Sequence, residues 1–401
     1  MEEEGDSEEV DDMGRLKKYL AYKPQHHENP FLFWTGRILH TFQQDYYEYG
    51  VKPEYYEAGA ECSLTSIEKA LYQDIQTYWT DKEPDGKKAP MHIKSFQNGR
   101  HAHNTLATKT FCKSMAYRYE LTKKEKYLKA LCEGADYLIL HKCDCGLYKY
   151  QLPIGLAQDE GPTTAGVIQV LCEVYKYTGK EKYLREAIAA GNAAHEKLYD
   201  PQLGYRHTLG YEVQTTNINS SFAHSFAMLY DITKEKIWKD RVFLCMDKIL
   251  ELQNEEGMFF YTNVRKTIFI SLYHYMVVNA ILQACDLCQI QDNRIQNCVD
   301  RAITYGKKLV DEEGYVLEPD RPEVYSDFHS CTRAAVMFAL AGEKEYEARI
   351  VKKIGSFFHD GVACTTIDRN GRLSDGSYWY RRERHLIDAY CDVAQLMLIN
   401  G

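Results

Sequence analysis

The sequence has 401 residues, of which 45% are hydrophobic and 27% charged, and its formal net charge is -9. This composition is typical of a globular chain long enough to form a large core. The sequence contains no stripe rich in Lys and Arg and no apolar run as long as a membrane span. We therefore expect neither nucleic acid nor a membrane as a partner.

The start of the chain is acidic and unlike a signal peptide. Residues 1–12 are predicted to form a disordered acidic tail, with partner binding as the alternative. Residues 13–63 are rich in aromatic side chains, including Phe31, Phe33 and Trp34, and are predicted to pack as an extension on the domain that follows.

Thirteen cysteines lie scattered in apolar surroundings. An odd number in this setting favours free thiols in a reducing compartment, so we expect a cytoplasmic protein. The close pairs Cys143/Cys145 and Cys285/Cys288 lack matching ligand pairs elsewhere. No metal and no cofactor are therefore expected.

Two turn signals recur along the remaining chain. A glycine followed by an apolar or aromatic residue returns every 53 to 58 residues, at Gly146, Gly204, Gly257, Gly314 and, more loosely, Gly371. A polar turn of the type Thr-Gly-Lys-Glu-Lys-Tyr alternates with it, beginning at Thr122, Thr178, Thr233 and Gly342, with a weaker copy at 291–293. Such a period indicates a repeated supersecondary unit that cannot bury its apolar face alone.

Helical spacing fills the segments between these turns. Tyr127, Leu128, Leu131, Ala135 and Leu138, for example, fall on one face of a helix. Outer helices are predicted near 64–80, 125–142, 181–199, 235–253, 293–311 and 344–358, and more apolar inner helices near 102–119, 162–177, 219–232, 268–288, 327–341 and 384–399. Six pairs close a ring, so residues 64–401 are predicted to form an all-α (α/α)6 toroid. An open solenoid is the structural alternative.

In such a ring the loops that precede the inner helices meet at one mouth, together with the positive ends of the helix dipoles. Polar and ionisable residues lie at all six of these positions. The predicted catalytic residues are Asp159, Asp327 and Glu383, and the predicted substrate-binding residues are Arg100, His101, His103, Asn219, His224, His274, His329, Arg382, His385 and Trp379. Each has a structural alternative, since Asp159 and Asp327 also fit helix N-caps and His224 fits a core position.

Asp159 and Asp327 precede the second and fifth inner helices, which lie on opposite sides of a six-membered ring. Carboxylates that face each other across a pocket fit glycoside hydrolysis, in which one protonates the leaving oxygen and the other activates water. Asp327 and Glu383 are the second possible pair.

Three stretches resemble the unsaturated rhamnogalacturonyl and glucuronyl hydrolases. They are Tyr378–Asp388, with its Arg-Glu-Arg, Ser326–Ala341, and Asp159-Glu160 with Ala165-Gly166. The resemblance implies a metal-free toroid enzyme acting on uronic-acid sugars. Those hydrolases carry their essential acid at the start of the third inner helix, where this sequence has Asn219.

The sequence thus favours a glycoside hydrolase of short acidic oligosaccharides, with a small saccharide as substrate. A uronate lyase or sugar epimerase that uses Tyr273, His274 or a pair of histidines as base is the first alternative. A non-catalytic helical scaffold is the second. An isoprenoid cyclase is disfavoured because the sequence has no Asp-rich diphosphate motif. The oligomeric state, the sugar and the linkage stay open.

Overall fold

The structure is a computed structural model that describes residues 56–82, 86–97, 100–103, 105–149, 160–321, 324–374 and 382–401. The predicted acidic tail and all of the predicted extension before Tyr56 lie outside these residues. Tyr56 and Glu57, near the end of the predicted extension, pair as a short strand with Leu373 and Arg372. The packing of the extension as a whole stays a prediction.

Twelve α-helices form the described part of the chain, alternating between an outer and an inner layer. The outer helices are α1 (Leu64–Gln76), α3 (Glu125–Leu140), α5 (Glu181–Leu198), α7 (Lys236–Leu250), α9 (Asn293–Lys308) and α11 (Lys344–Ile354). The inner helices are α2 (Thr105–Thr122), α4 (Glu160–Thr178), α6 (Thr216–Thr233), α8 (Ser271–Cys288), α10 (Phe328–Leu340) and α12 (Arg382–Asn400). All twelve predicted helices are present, with ends that differ by a few residues.

The inner helices form a closed ring, in which each packs against the next and α12 packs against α2. Hydrogen bonds join residues at equal depth in neighbouring helices, such as Gln169 Nε2 to Ser225 Oγ at 3.0 Å and Leu272 N to Ser330 Oγ at 3.1 Å. The inner helices are therefore parallel, and their N-termini lie at one end of the ring. The predicted (α/α)6 toroid is confirmed.

The first outer helix closes the ring across the two ends of the chain. Helix α1 packs on α12, which is the last inner helix, whereas the other outer helices pack on the inner helix that precedes them. Glu68 of α1 accepts a hydrogen bond from the Tyr390 hydroxyl at 3.1 Å and lies 3.3 Å from Arg118 Nε of α2. We call this contact between α1, α12 and α2 the seam.

The predicted apolar face of α3 is buried. Leu131, Ala135 and Leu138 have no exposed surface, and Tyr127 is 5% exposed. Burying one leucine in this way stabilises the fold by roughly 1.5–3 kcal/mol. Packing of such faces against the inner ring thus holds the outer layer in place.

Three of the polar turns between inner and outer helices share one hydrogen-bond pattern. Thr178 Oγ1 donates to Val174 O at 2.7 Å and accepts the N–H of Lys180 at 3.3 Å. The residue between them, Gly179, has a φ of +63°. Thr122 and Thr233 make the same two bonds. One threonine therefore ends the inner helix and starts the outer one, which explains the repeat seen in the sequence.

Short strands occur in the long connections and were not predicted. They are β1 (Tyr56–Glu57), β2 (Trp79–Lys82), β3 (Lys88–Gln97), β4 (Arg100–His103), β5 (Tyr199–Asp200), β6 (Gly204–Tyr205), β7 (Ser326–Asp327), β8 (Phe358–His359), β9 (Val362–Ala363), β10 (Thr366–Ile367) and β11 (Arg372–Ser374). Strands β1, β11, β10 and β7 form one antiparallel sheet, and β2, β3 and β4 form another.

The sheet of β2, β3 and β4 contradicts the predicted start of the first inner helix. Residues 102 and 103 were predicted to begin the first inner helix, but Lys94 pairs with His103 and Gln97 with Arg100 in antiparallel register. Helix α2 begins only at Thr105. The lysines and histidines of this hairpin interrupt the alternation of apolar and polar residues that marks a strand. Its sequence is therefore similar to that of a loop.

Candidate active site

Polar side chains line the axis of the ring, although the inner helices are otherwise apolar. Most come as pairs four residues apart, which places both members on one helix face. They are Lys113 and Tyr117 on α2, Gln169 and Glu173 on α4, His329 and Arg333 on α10, Asp388 and Asp392 on α12, with His224 on α6 and Gln283 on α8. Gln395 Nε2 of α12 reaches Gln283 Oε1 of α8 at 3.4 Å, and Lys113 is close enough to Arg333 and Asp392 for their charges to act on it, so polar groups of different inner helices approach one another.

His329, Arg333 and Asp392 form the densest part of this cluster. Arg333 NH2 lies 2.8 Å from Asp392 Oδ1, and His329 Nε2 lies 3.6 Å from Asp392 Oδ2. The Thr332 hydroxyl donates to Asp392 Oδ2 at 3.0 Å. Burial raises the pKa of Asp392 to about 7, although Arg333 opposes the shift. The carboxyl group can therefore exchange a proton near neutral pH.

His329 is in the first turn of α10 and is 4% exposed. Its backbone N–H donates to Asp327 Oδ1 at 3.0 Å, so the residue that caps the helix fixes the position of the His329 backbone. The side chain then reaches the axis next to Asp392. A histidine beside a carboxylate, at the N-terminal end of a helix, is suited to moving protons at neutral pH.

Asp327, one of the predicted acids, is the N-cap of α10. Its Oδ1 accepts the N–H groups of His329 and Ser330, and its Oδ2 lies 3.1 Å from Arg321 NH1. The residue is 1% exposed. The carboxylate is thus engaged in a cap and a buried ion pair, and its predicted role as an acid or base stays a prediction.

Glu318 extends the buried group around Asp327. Its two oxygens accept hydrogen bonds from the Ser330 hydroxyl at 2.6 Å and from the N–H of Ser271 at 2.9 Å. Burial, followed by the charge of Asp327, raises the pKa of Glu318 to about 8. This carboxyl group joins the N-termini of α8 and α10, and so supports the wall of the mouth.

Asn219 and His274 occupy equivalent positions, each the fourth residue of its inner helix. Asn219 Oδ1 accepts the N–H of Tyr205 at 2.9 Å, and His274 Nδ1 accepts that of Phe259 at 3.4 Å. Thr164 Oγ1 accepts the N–H of Tyr148 in the same way. All three anchor the glycine-aromatic turns of the repeat, so Asn219 has a structural role here.

His274 has a second bond that completes this anchor. Its Nε2 lies 2.9 Å from Ala302 O, and the residue has no exposed surface. Burial lowers the pKa of His274 to about 4. The imidazole is therefore neutral, donating from Nε2 and accepting at Nδ1, with both nitrogens used between helices. The predicted binding roles of Asn219 and His274 stay predictions.

The other predicted site residues lie wholly or partly outside the described part of the chain. Asp159 and Trp379 lie outside the described residues. The backbone of β4 carries Arg100, His101 and His103 and that of α12 carries Arg382, Glu383 and His385, while their side chains lie outside the described part. The structure thus brings Asp327 and His329 together at the mouth and places His224 on the axis.

Sequence reasoning missed Asp392, Lys113, Glu173 and Glu318. The pairs of polar residues four apart on the inner helices were the available signal, because an apolar helix with two such residues directs both to the same side. Glu318 gave no comparable signal, since it lies in a long connection between helices.

Within the described ranges, no three His, Cys, Asp or Glu side chains are grouped so that they could hold a metal ion. All thirteen cysteines belong to this part of the chain, and all are free thiols. The helices of the described residues are too short or too polar to cross a membrane.

Several solved structures with the same fold are named as sugar-converting enzymes. No protein-family model matches the sequence, and no curated protein sequence is significantly similar to it. A cellobiose 2-epimerase from Bacillus thermoamylovorans superposes with a TM-score of 0.61 at 15% identity, covering 82% of this chain and 98% of its own. A D-mannose isomerase has a TM-score of 0.58 at 14% identity, with 82% and 97% covered.

A glycosyl hydrolase of family 88 from Bacteroides vulgatus is similar to the same extent. Its TM-score is 0.57 at 14% identity, covering 83% of this chain and 98% of its own. At these identities the similarity establishes the fold, which is that of the (α/α)6 toroid enzymes. The reaction of a protein with this fold depends on the residues of its site and not on the fold.

Proposed function

We propose that this protein is a carbohydrate-active enzyme whose substrate binds at the mouth formed by the N-termini of the inner helices. Within that class we favour a sugar epimerase or isomerase, which moves a proton on the carbon next to an open-chain carbonyl. The observation that carries this proposal is the cluster of His329, Arg333 and Asp392 at the axis.

In this reaction His329 is the base that takes the proton from the carbon beside the carbonyl, leaving an enediolate. Return of a proton to the other face of that carbon gives the epimer, and return to the neighbouring carbon gives the isomer. Asp392 positions the imidazole and stabilises it once protonated, as a carboxylate does for a catalytic histidine. Arg333 holds Asp392 in place.

A second acid or base is needed on the opposite side of the sugar. His101, His103 and His385 are the candidates, since their backbone lies at the starts of α2 and α12. Arg100, Arg382 and Trp379 are candidates for substrate contacts, in which arginine binds a carboxylate and an aromatic face stacks on a sugar ring. An acidic saccharide fits these arginines best.

A glycoside hydrolase is the second candidate, and the position of Glu160 favours it. Glu160 is the first residue of α4, is 2% exposed and accepts a hydrogen bond from the Thr208 hydroxyl. It places a buried carboxylate at the start of an inner helix, and the predicted acid Asp159 precedes it in the sequence. Hydrolysis would use Asp159 with Asp327, or Asp327 with Glu383, as acid and base.

The thirteen free thiols support a further part of the proposal, namely that the enzyme works in the cytoplasm. Fractionation of cells that express the full chain tests this location. Recovery in a membrane or secreted fraction would contradict it.

The reaction is tested by incubating the full-length protein in D2O with reducing sugars, uronates and their disaccharides and following the products by NMR. We expect deuterium at the carbon beside the carbonyl and an epimer or isomer, without cleavage. His329→Asn should lower the rate by about 100-fold or more, because it removes a general base.

His359→Asn is the matched control, because His359 lies on β8 and its side chain is 38% exposed. It should keep the full rate. New reducing ends without deuterium incorporation would favour the hydrolase instead. No turnover of any saccharide, with no difference between the two variants, would favour the non-catalytic scaffold.

A further inference from the structure

A cavity opens at the end of the ring opposite the mouth. Its volume is about 310 Å³, and its outer rim is formed by exposed residues in the last turns of three inner helices, Lys176 of α4, Asp231 of α6 and Asp286 of α8. Its inner end is formed by Lys113, Tyr117 and His224. The cavity thus runs from the face with the short polar turns towards the axis.

His224 faces this cavity without a hydrogen-bond partner. The residue is 8% exposed, and neither ring nitrogen forms a hydrogen bond with any described residue. Burial, together with the charges of Lys113 and Arg333, lowers the pKa of His224 to about 3, so the imidazole is neutral. A buried imidazole in a cavity needs one donor and one acceptor, which a ligand can supply.

Lys113 is a hydrogen-bond donor in the same cavity and has few partners. Its ammonium donates to Gln169 Oε1 at 2.8 Å, but no described carboxylate lies within ion-pair distance of it. An ammonium group has three N–H donors, so two of them remain available for other partners. The Tyr117 hydroxyl also lines the cavity and bonds to no described group. Because burial raises its pKa, the hydroxyl is protonated and available as a donor.

The charges around these donors restrict the charge of a ligand that can bind in the cavity. Lys113 is the one basic residue among those that line the inner end of the cavity, and the charges of Arg333 and Asp392 act on it from the axis. Glu173, Asp231 and Asp286 line the path to it. A ligand with two negative charges would be repelled by these carboxylates. A single carboxylate can pair with Lys113, and hydroxyl groups can bond to the imidazole and the phenol.

We propose that this cavity binds a small hydroxylated monocarboxylate, with its carboxylate on Lys113 and its hydroxyl groups on His224 and Tyr117. The site opens on the face of the ring opposite the mouth, and its inner end is close enough to the cluster at the axis for the charges of Arg333 and Asp392 to act on Lys113. Ligand binding there does not depend on the reaction at the mouth. On that face the described connections between helices are short turns.

The probe for this site is gluconate, titrated into the full-length protein by calorimetry. Sorbitol has the same open chain of hydroxyl groups without the charge, and glucose 6-phosphate carries about two charges. We expect gluconate to bind at least about tenfold more tightly than either, since a charge-assisted hydrogen bond contributes about 1.5–3 kcal/mol.

Three variants locate the binding. Lys113→Met should weaken gluconate binding by about 10- to 100-fold, which corresponds to the loss of that bond. Tyr117→Phe removes only a hydroxyl and should weaken it several-fold, and it serves if Lys113→Met does not fold. Ile232→Trp fills the cavity and should abolish binding, whereas a ligand held at the distant mouth would be unaffected.

Lys176→Met is the matched control, because Lys176 is an exposed lysine on the rim, and it should change the affinity by less than about threefold. Circular dichroism of each variant confirms folding. The proposal is overturned if gluconate does not bind at millimolar concentration. It is equally overturned if Lys113→Met and Ile232→Trp bind it as the original chain does, or if glucose 6-phosphate binds more tightly.

Discussion

The backbone N–H of Tyr205 donates to Asn219 Oδ1 at 2.9 Å, which fixes a glycine-aromatic turn against an inner helix. Asn219 also donates from Nδ2 to Thr215 O at 3.0 Å and has no exposed surface. The side chain therefore uses both its acceptor and its donors inside the fold. It is the amide, and not a carboxylate, that can satisfy both partners.

Asn219→Ala should accordingly destabilise the protein. The buried N–H of Tyr205 loses its acceptor, which lowers the free energy of unfolding by about 1–3 kcal/mol. Chemical denaturation measures the change. Asn297→Ala, at an exposed position on α9, is the control and should shift it by less than about 0.5 kcal/mol. Equal stability of the two variants would show that the anchor is unimportant.

Substitutions at Gly179 and Gly204 separate two energetic costs, that of a side chain at positive φ and that of a steric clash. Both have positive φ, +72° and +63°. A Cβ at Gly204 would collide with Asn219 Oδ1, whereas one at Gly179 meets nothing within 4 Å. Gly179→Ala should therefore lose only the backbone preference, about 1–2 kcal/mol, and Gly204→Ala should lose more. Thermal unfolding of both variants tests the order, and the reverse order would contradict it.

Asp392 should make stability depend on pH. Burial raises its pKa from 3.8 to about 7, so the folded state binds a proton that the unfolded state releases between these values. The free energy of unfolding should fall as pH rises through this window, by at most about 1.4 kcal/mol per pH unit.

Asp392→Asn removes this titration, so its stability should fall less steeply than that of the original chain between pH 4 and 7. Denaturation at several pH values measures both slopes. Asp300→Asn, at an exposed position on α9, should leave the original slope unchanged. Parallel curves for the Asp392 variant and the original chain would contradict the assignment.

The threonine in each of the three polar turns that begin with Thr should contribute to stability through its hydroxyl. Thr178→Val keeps the shape but loses the bonds to Val174 O and Lys180 N, which lowers the free energy of unfolding by about 1 kcal/mol. Thr304→Val is the control, since Thr304 is exposed on α9 and its hydroxyl bonds only to Asp300 O of the same helix. Urea denaturation compares the two, and a larger loss at Thr304 would rule out this account.

The ring could be predicted from the sequence because similar turn residues recur along the chain and because the helices carry clear apolar faces. Gly204 and Thr178 each mark a turn whose geometry only a few residue types permit. The hairpin of β3 and β4 was missed because its pairing joins strands without a clear alternating pattern.

The site was less predictable than the fold. Asp327 fits both a catalytic acid and a helix cap, and only the position of Arg321 and the bonds to His329 and Ser330 show that it caps α10. Asp392 lies in the middle of α12, far from any loop, so attention to helix starts could not find it. Its partner Arg333 is on another helix, and their proximity depends on how the helices pack.

The seam has a consequence for the time course of folding. Glu68 and Tyr390, which meet there, are 322 residues apart in sequence. Contacts of this separation form late, because the entropy of closing so long a loop must first be overcome. Until α12 leaves the ribosome, the apolar faces of α1 and α2 that it covers have no partner. The nascent chain is therefore an open arc exposed to aggregation, and chaperones should act on it until the last helix closes the circle.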